Sequence, residues 1–429
     1  MKRRFLLCGL LLLLVTVNYL DRSVLSVAAK DVAAEFHFSP VVMGYLFSSF
    51  TWTYALFIFL TGFLIDRFPT KRIQLVGGAI WSTATFVTGF AWGLPSFVGL
   101  RMLMGAAEAT SLPTCAKIVR EWMPASERGV ATATFSAGTF AGPACGAVLV
   151  GTVASAFGWR ASFMVAGALG LLWLVPFAIW FDRPEKAGWL DAGERALILG
   201  GRTGHAAEFD RQTPAATLLQ LLSSRTLWAL ACTQACAIYA NNVFLFWLPS
   251  YLQATRGLTL LKTGLFTAVP YAVAVPLSIG LGVISDRAIR RGDGVATGRR
   301  RNVVATSMLC AAVILAAPLV NNVWLLLALT TVSLVGIGTT LALNGALLSD
   351  LLPSPRNLGK ATGTVWFIGQ VVGISAPIIS GYIIESAGYR FLFVVCGLML
   401  IAGSTVCLTL TRRPLLAGDE APAVVAAAT

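Results

Sequence analysis

"GFLIDR" occupies residues 62–67 and "GVISDR" occupies residues 282–287. Each is Gly-x-x-x-Asp-Arg, each closes an apolar run, and each is followed by further basic charge, "FPTKR" in one case and "AIRRGDGVATGRRRN" in the other. The offset of 220 residues is close to half of the 429-residue chain. A phrase repeated at half-length predicts two like halves, and the runs around it say what those halves are made of.

Working outward, the chain is 57% hydrophobic and only 12% charged, against about 25% charged in soluble globular proteins. A bilayer core about 30 Å thick needs roughly 20 helical residues to cross it. Runs of that kind recur at 5–28, 41–65, 73–94, 96–118, 129–152, 160–181, 226–252, 259–285, 302–320, 323–349, 359–384 and 389–411. The expected architecture is an all-α membrane protein with twelve transmembrane helices. It divides into a six-helix bundle (1–181), a cytoplasmic linker with some amphipathic helix (182–225), a second six-helix bundle (226–411) and a tail (412–429).

The net charge of +13 sorts by side. With the N-terminus inside, 25 of the 32 Lys and Arg fall on inner segments, while the outer segments hold Lys30, Arg160, Arg256, Lys262 and Arg390. This is the positive-inside pattern, and it predicts that both termini are cytoplasmic. The basic charge sets topology, so no nucleic-acid partner is expected. "KRR", an apolar run and "SVAA" superficially match a signal peptide, but the charges inside the run and the spans after it favour an uncleaved first helix. The eight cysteines all fall in apolar spans and are expected to be buried. No Asn-x-Ser/Thr sequon occurs, which suits a bacterial cytoplasmic membrane.

Four ionisable residues interrupt the first-half spans: Asp21 and Arg22 in "VNYLDR", then Arg101 and Glu108 in "RMLMGAAE". Each costs about 2.5–3.5 kcal/mol near a helix centre, so the four must face a polar interior and pair there. Arg101 and Glu108 are seven residues apart, about 20° short of two turns, and share one helix face about 10 Å apart. That spacing makes two stations along one cavity. Asp21 and Arg22 point about 100° apart, so one can meet a ligand while the other meets Arg101 or Tyr54.

Two parallel six-helix halves carrying "GFLIDRFPTKR" resemble the major facilitator superfamily over essentially the whole chain. That resemblance implies a binding site near mid-membrane between the halves. It also implies a gating latch, in which Gly62 permits close helix contact and Asp66, Arg67 and Arg72, with Asp286 and Arg287 in the repeat, hold one conformation. "NYLDRSVLSVA", "GYLFSSFTWTYALFIFLTGFLIDR" and "RMLMGAAEATSLPTCAKIVREWMPASERG" are similar to the anion:cation symporter branch, which includes sugar-acid/proton symporters, sialin and vesicular glutamate transporters. There the resemblance gives Arg22 and Arg101 the substrate carboxylate and gives Asp21 and Glu108 the coupling protons. It puts Tyr54, with Tyr19, beside the substrate. "NNVFLFWLPSYL" resembles the family's seventh helix, where Asn242 or Trp247 lines the site. Sugar-acid members usually present Gln in helix five and Asn in helix eleven. Here Thr139 and Trp366 stand near those places, with Gln370 and Asn344 as remaining polar contacts, which favours a less polar carboxylate.

The expected function is therefore uptake of a small organic anion with protons, by a monomer in the lipid bilayer, using the proton gradient and no cofactor or metal. An exporter or exchanger would use the same cavity. A receptor of this build usually carries an added soluble domain, and none is evident. Two histidines, His37 and His205, both in loops, with no metal spacing and no Ser-His-Asp set, argue against an enzyme.

Overall fold

The computed structural model describes residues 4–124, 127–200, 217–290, 296–352, 357–411 and 415. They are helical almost throughout. The first half contains α1 (Arg4–Val27), α2 (Ala29–Phe36), α3 (Pro40–Arg67), α4 (Thr70–Thr88), α5 (Leu94–Glu108), α6 (Ser111–Trp122), α7 (Arg128–Ser136), α8 (Gly138–Phe157) and α9 (Trp159–Trp180). Two short helices follow, α10 (Ala192–Gly200) and α11 (Leu218–Leu222). The second half contains α12 (Arg225–Arg256), α13 (Leu260–Arg290), α14 (Ala296–Ala311) running into a 3-10 segment (Ala312–Leu319), α15 (Val323–Leu351), α16 (Leu358–Ala387) and α17 (Tyr389–Leu410).

Among the described residues, ten helices are long and apolar enough to cross a membrane. The expected spans 73–94 and 96–118 fall outside those ten. The first is α4, 19 residues opening on Thr70-Lys71-Arg72. The second is not one helix but two, α5 and α6, broken at Ala109–Thr110. Pro113 has no N–H to give the Ala109 carbonyl, and the chain turns tightly there, with Thr110 N–H donating to the Ala107 carbonyl at 3.3 Å. Glu108 thus ends a helix rather than sitting inside one.

The half-length repeat extends beyond the Gly-x-x-x-Asp-Arg phrase. Gly158 joins α8 to α9 and Gly388 joins α16 to α17, with φ of +82° and +80°, a left-handed turn that suits residues without a Cβ. Each is followed by an aromatic residue and an arginine, Trp159-Arg160 and Tyr389-Arg390.

Packing shows how the halves meet. One apolar cluster joins first-half residues, such as Leu11, Trp81, Ile118 and Phe177, with Ala187, Leu190 and Ile198 of the connecting segment. Another joins second-half residues, such as Leu227, Val304, Leu347 and Val365. A third draws on both halves, including Val24, Phe47, Ala147, Trp247 and Ala268. Hydrogen bonds between the halves accompany this third cluster. Ser26 Oγ donates to the Leu245 carbonyl at 2.6 Å, Ser48 Oγ to the Ile374 carbonyl at 2.6 Å, and Gln253 Nε2 to the Val27 carbonyl at 3.4 Å. All three lie toward the end of the bundle remote from Arg4. The halves are sealed together there, and the clusters toward the other end stay separate.

Cys145 and Cys310 correct the expectation for the cysteines: both are exposed, and Cys232 is half-buried.

Candidate functional site

The charged residues of α1 are positioned by α8. Gly138, Gly142 and Gly146 recur every four residues and form a stripe against Thr16, Tyr19 and Ser23 of α1, and any Cβ in that stripe would collide with α1. This small-residue contact lets two membrane helices approach closely. It turns the Asp21–Arg22 side of α1 toward α3, α4 and α5.

There the four charges separate into two settings. Arg22 Nε donates to Glu108 Oε2 at 2.7 Å, and Glu108 is wholly buried. Arg22 Nη2 donates to Asn18 Oδ1 at 3.2 Å. Its guanidinium lies over the rings of Tyr19, Phe50 and Tyr54, with centroids at 4.4, 4.6 and 4.6 Å. Cations over ring faces are held by the ring quadrupole, so three aromatic residues form a cage open to an acidic partner. Asp21 faces the other way, toward α4, and accepts a hydrogen bond from Thr85 Oγ1 at 3.4 Å. The neighbouring positions in "DR" therefore serve different surroundings, as their 100° separation predicts.

Arg101 is almost fully buried, with its Cζ 5.2 Å from the Phe50 ring centroid. Its Nη1 meets only Met104 Sδ, at 3.8 Å, while Nε and Nη2 have no hydrogen-bond partner among the described residues. A buried guanidinium usually has its donors occupied. The two arginines share the Phe50 ring, so they approach one place from two helices.

The second-half candidates are arranged differently. Asn242 Nδ2 donates to the Gly373 carbonyl at 3.0 Å, which ties α12 to α16. Asn344 is buried and donates to the Leu230 carbonyl at 3.1 Å and to Gln234 Oε1 at 2.9 Å. Trp247 packs edge-on against Phe47, at 5.2 Å, in the cluster that seals the halves. Trp366 is exposed and Gln370, one turn on along α16, is half-buried. The structure thus gathers Asp21, Arg22, Arg101, Glu108, Tyr19 and Tyr54, while Asn242, Asn344 and Trp247 are engaged in helix packing. Thr139 is half-buried at the start of α8 and donates to the Ser136 carbonyl.

The residues expected to gate lie at the end where the apolar clusters of the two halves stay separate. Gly62 is exposed and nothing stands near its Cβ position. The close contact expected of it is not made in this arrangement by any described residue. Arg67 and Arg72 are exposed. The side chains of Asp66, Asp286 and Arg287 lie outside the described ones. Lys117 Nζ donates to the Ile65 carbonyl at the end of α3. Beside it, Arg67, Thr70, Lys117, Glu121, Arg183 and Glu185 line a polar cavity of about 360 Å³. An apolar crevice of about 500 Å³ between α13, α14 and α15 stands apart from all of these charges.

The family model described as Major Facilitator Superfamily matches residues 11–298 and 294–426. The chain belongs to that superfamily. It is a multi-pass membrane transporter and not an enzyme. Among relatives, the chain is 30% identical over 415 residues to "Probable galactarate/D-glucarate transporter GarP" of Escherichia coli K12, covering 92% of each chain. It is 32% identical to "Probable sulfoacetate transporter SauU" of Cupriavidus necator, covering 98% of this chain and 96% of that one. Among solved structures, it is similar in fold to a bacterial homologue of the human lysosomal transporter Spinster in an inward-facing conformation, with TM-score 0.76, 17% identity and 96% and 98% coverage. It is likewise similar to a D-xylose-proton symporter, with TM-score 0.74, 15% identity and 97% and 99% coverage.

Sequence reasoning missed Phe50 and Asn18 in this superfamily member. Phe50 touches both arginines, yet reads as an ordinary apolar residue; its only signal is its place one turn before Tyr54, on which it stacks at 5.5 Å. Asn18 stands one turn before Arg22 in the same apolar run, and that polar position could have been read.

Proposed function

We propose that the chain is a proton-coupled symporter that brings a small organic acid anion into a bacterial cell across the cytoplasmic membrane. It would act as a monomer with twelve spans and both termini in the cytoplasm. The observation that carries this reading is the pairing of Arg22 with Glu108 at 2.7 Å beside an Arg101 whose Nε and Nη2 have no described partner.

Two arginines and two ionised acids sum to zero, and an anion gains little by entering. A proton on Glu108 cancels the charge that holds Arg22 and frees a guanidinium next to Arg101. The two can then grip a carboxylate or sulfonate through charge-assisted, bidentate hydrogen bonds. At an effective dielectric near 20, unit charges 4 Å apart interact by about 4 kcal/mol, so proton and anion binding favour each other strongly. The coupling is reciprocal: whichever binds first helps the second, and an inward proton gradient drives uptake.

The sealed end of the bundle faces outward in this reading, and the separated end opens to the cytoplasm. An Arg22–Glu108 ion pair in an inward-open transporter is the arrangement expected once anion and proton have both departed. The acids in the relatives' names, galactarate, D-glucarate and sulfoacetate, are all anions at neutral pH. Trp366 on α16 would add an apolar wall and favours a less polar carboxylate over a polyhydroxylated hexonate. Gly62, Asp66, Arg67 and Arg72, with Asp286 and Arg287, would latch the cytoplasmic end shut in the opposite, outward-open state.

The test is uptake of labelled galactarate, galactonate, sulfoacetate and simple carboxylates into proteoliposomes under an imposed proton gradient. At least one acid should accumulate, and a protonophore should collapse the accumulation. Equal uptake with and without the gradient, for every acid that enters, would end the symport reading.

A further inference from the structure

A second set of buried polar groups lies on the α4 side of α1, behind the Arg22–Glu108 pair. Gln74, Trp81 and Thr85 of α4 fall within about 40° of one line along the helix and span about 16 Å of it. All three are buried, and Gln74 and Trp81 are 0% and 1% exposed. Neither amide atom of Gln74 has a hydrogen-bond partner among the described residues, nor does Trp81 Nε1. Thr114 of α6 is equally buried, with Oγ1 likewise unpartnered. Gly77 touches Thr110. Gln74 and Thr114 each lie about one turn further on along these antiparallel helices, and so stand at the same depth.

One end of this line is Asp21. Thr85 Oγ1 lies 3.4 Å from its Oδ2 and 3.1 Å from the Trp81 carbonyl, and Oδ1 is unpartnered among the described residues. The other end is the polar cavity of about 360 Å³ at the open end of the bundle. Thr70, one turn before Gln74, and Lys117, three residues after Thr114, both line that cavity, together with Glu121 and Glu185. A line of buried groups leading from a carboxyl to a polar cavity, of which Gln74, Trp81 and Thr114 find no partner among the described residues, is what ordered water normally fills.

We propose that Thr85, Trp81, Gln74 and Thr114 hold a file of water molecules that carries the coupling proton from Asp21 to the cytoplasmic cavity, separate from the route of the anion. This rests on the symport reading above. The Asp21 carboxyl gives its proton to the first water and becomes a carboxylate. The proton then passes from water to water as a transient hydronium, and the last water releases it to the solvent in the cavity. The four side chains position water and neither gain nor lose a proton. Arg101, seven residues before Glu108 and so toward the sealed end, repels a hydronium and biases its passage toward the open end. Glu108, beside Arg22 on the other side of α1, takes up its own proton and does not enter the file.

The experiment uses the full-length chain in proteoliposomes, with labelled galactarate, galactonate and sulfoacetate as probes. Two rates are read: accumulation driven by a proton gradient, and exchange of labelled for unlabelled acid at equal pH, which needs no net proton movement. Gln74→Leu and, separately, Thr114→Val should each slow driven accumulation at least tenfold and leave exchange within twofold of the wild type. Gln74→Asn, which keeps an amide, should recover much of the driven rate. Driven accumulation within twofold of wild type in both variants would overturn the water file. Equal loss of exchange and accumulation would overturn it too, since the side chains would then serve the anion or the fold. A wild type that exchanges but never accumulates under a gradient would instead sink the symport reading.

Discussion

The two halves share a helical plan but not a chemistry. The buried charged residues among those described, Arg4, Asp21, Arg22, Arg101 and Glu108, all belong to the first half. The second half buries amides and hydroxyls instead, such as Gln234, Asn344, Thr330 and Ser333, and uses them to join its own helices. Charge inside a membrane costs about 2.5–3.5 kcal/mol per residue at a helix centre. Keeping it in one half confines that cost and leaves the other half without a buried charge among the described residues. The sealed end fits this contrast: its contacts are apolar rings and single hydrogen bonds from Ser26, Ser48, Gln253 and the Val41 N–H, none of them an ion pair.

The largest effect should come from removing a cation. Arg101→Ala is expected to weaken anion binding by about 2–5 kcal/mol, the usual cost of truncating one partner of a buried charged contact, or at least about 30-fold in Kd. Titration of the purified protein with the transported acid checks this. A comparable loss from Asn344→Ala would break the division between the halves. Glu108→Gln should act differently, because it keeps a hydrogen-bonding side chain but cannot take up a proton. Exchange at equal pH should survive and gradient-driven accumulation should disappear. Retained accumulation in Glu108→Gln would move proton coupling elsewhere.

Much of this contrast was legible in the sequence. Asp21, Arg22, Arg101 and Glu108 stand out because a charge in an apolar run has few innocent explanations, and the repeated Gly-x-x-x-Asp-Arg announces the halves. The pairing was less legible. The 100° between Asp21 and Arg22 says that they diverge, but only the glycine stripe of α8 fixes which of them meets Glu108. Phe50 was invisible because an aromatic residue in a membrane helix is the commonplace case. The break after Glu108 could have been read from Pro113, yet hydropathy averaged over a window runs straight across it. Asn344 is the opposite case: a lone amide in an apolar span suggests a ligand contact, and its Nδ2 is spent on Gln234 Oε1 and the Leu230 carbonyl while its Oδ1 has no partner among the described residues.

That last point gives a smaller effect in the other half. Asn344→Leu removes two buried hydrogen bonds and leaves Gln234 Oε1 short of a donor. The expected cost is about 1–3 kcal/mol of stability, read as a lower melting temperature in detergent. Gradient-driven uptake should stay within a few fold of the wild type. Loss of coupling with stability intact would place charge chemistry across both halves.

The smallest effect separates buried from exposed charge within the first half. Glu35 on α2 accepts hydrogen bonds from Arg160 Nη1 and Nη2 at 2.7 and 2.6 Å and from Trp159 Nε1 at 2.8 Å. The Arg160 hydrogen bonds hold its carboxyl below the usual range. A depressed folded-state pKa contributes stability above the unfolded value, near 4.3 for Glu, and that contribution is lost as pH falls through the folded value. Both side chains are about 40% exposed, so solvent screening limits the pair to about 0–1 kcal/mol. Glu35→Gln should therefore lower the melting temperature only slightly at pH 7, and the difference from wild type should close below about pH 4. A loss at pH 7 as large as that of Asn344→Leu would mean that position, not burial, sets what a charge is worth in this half.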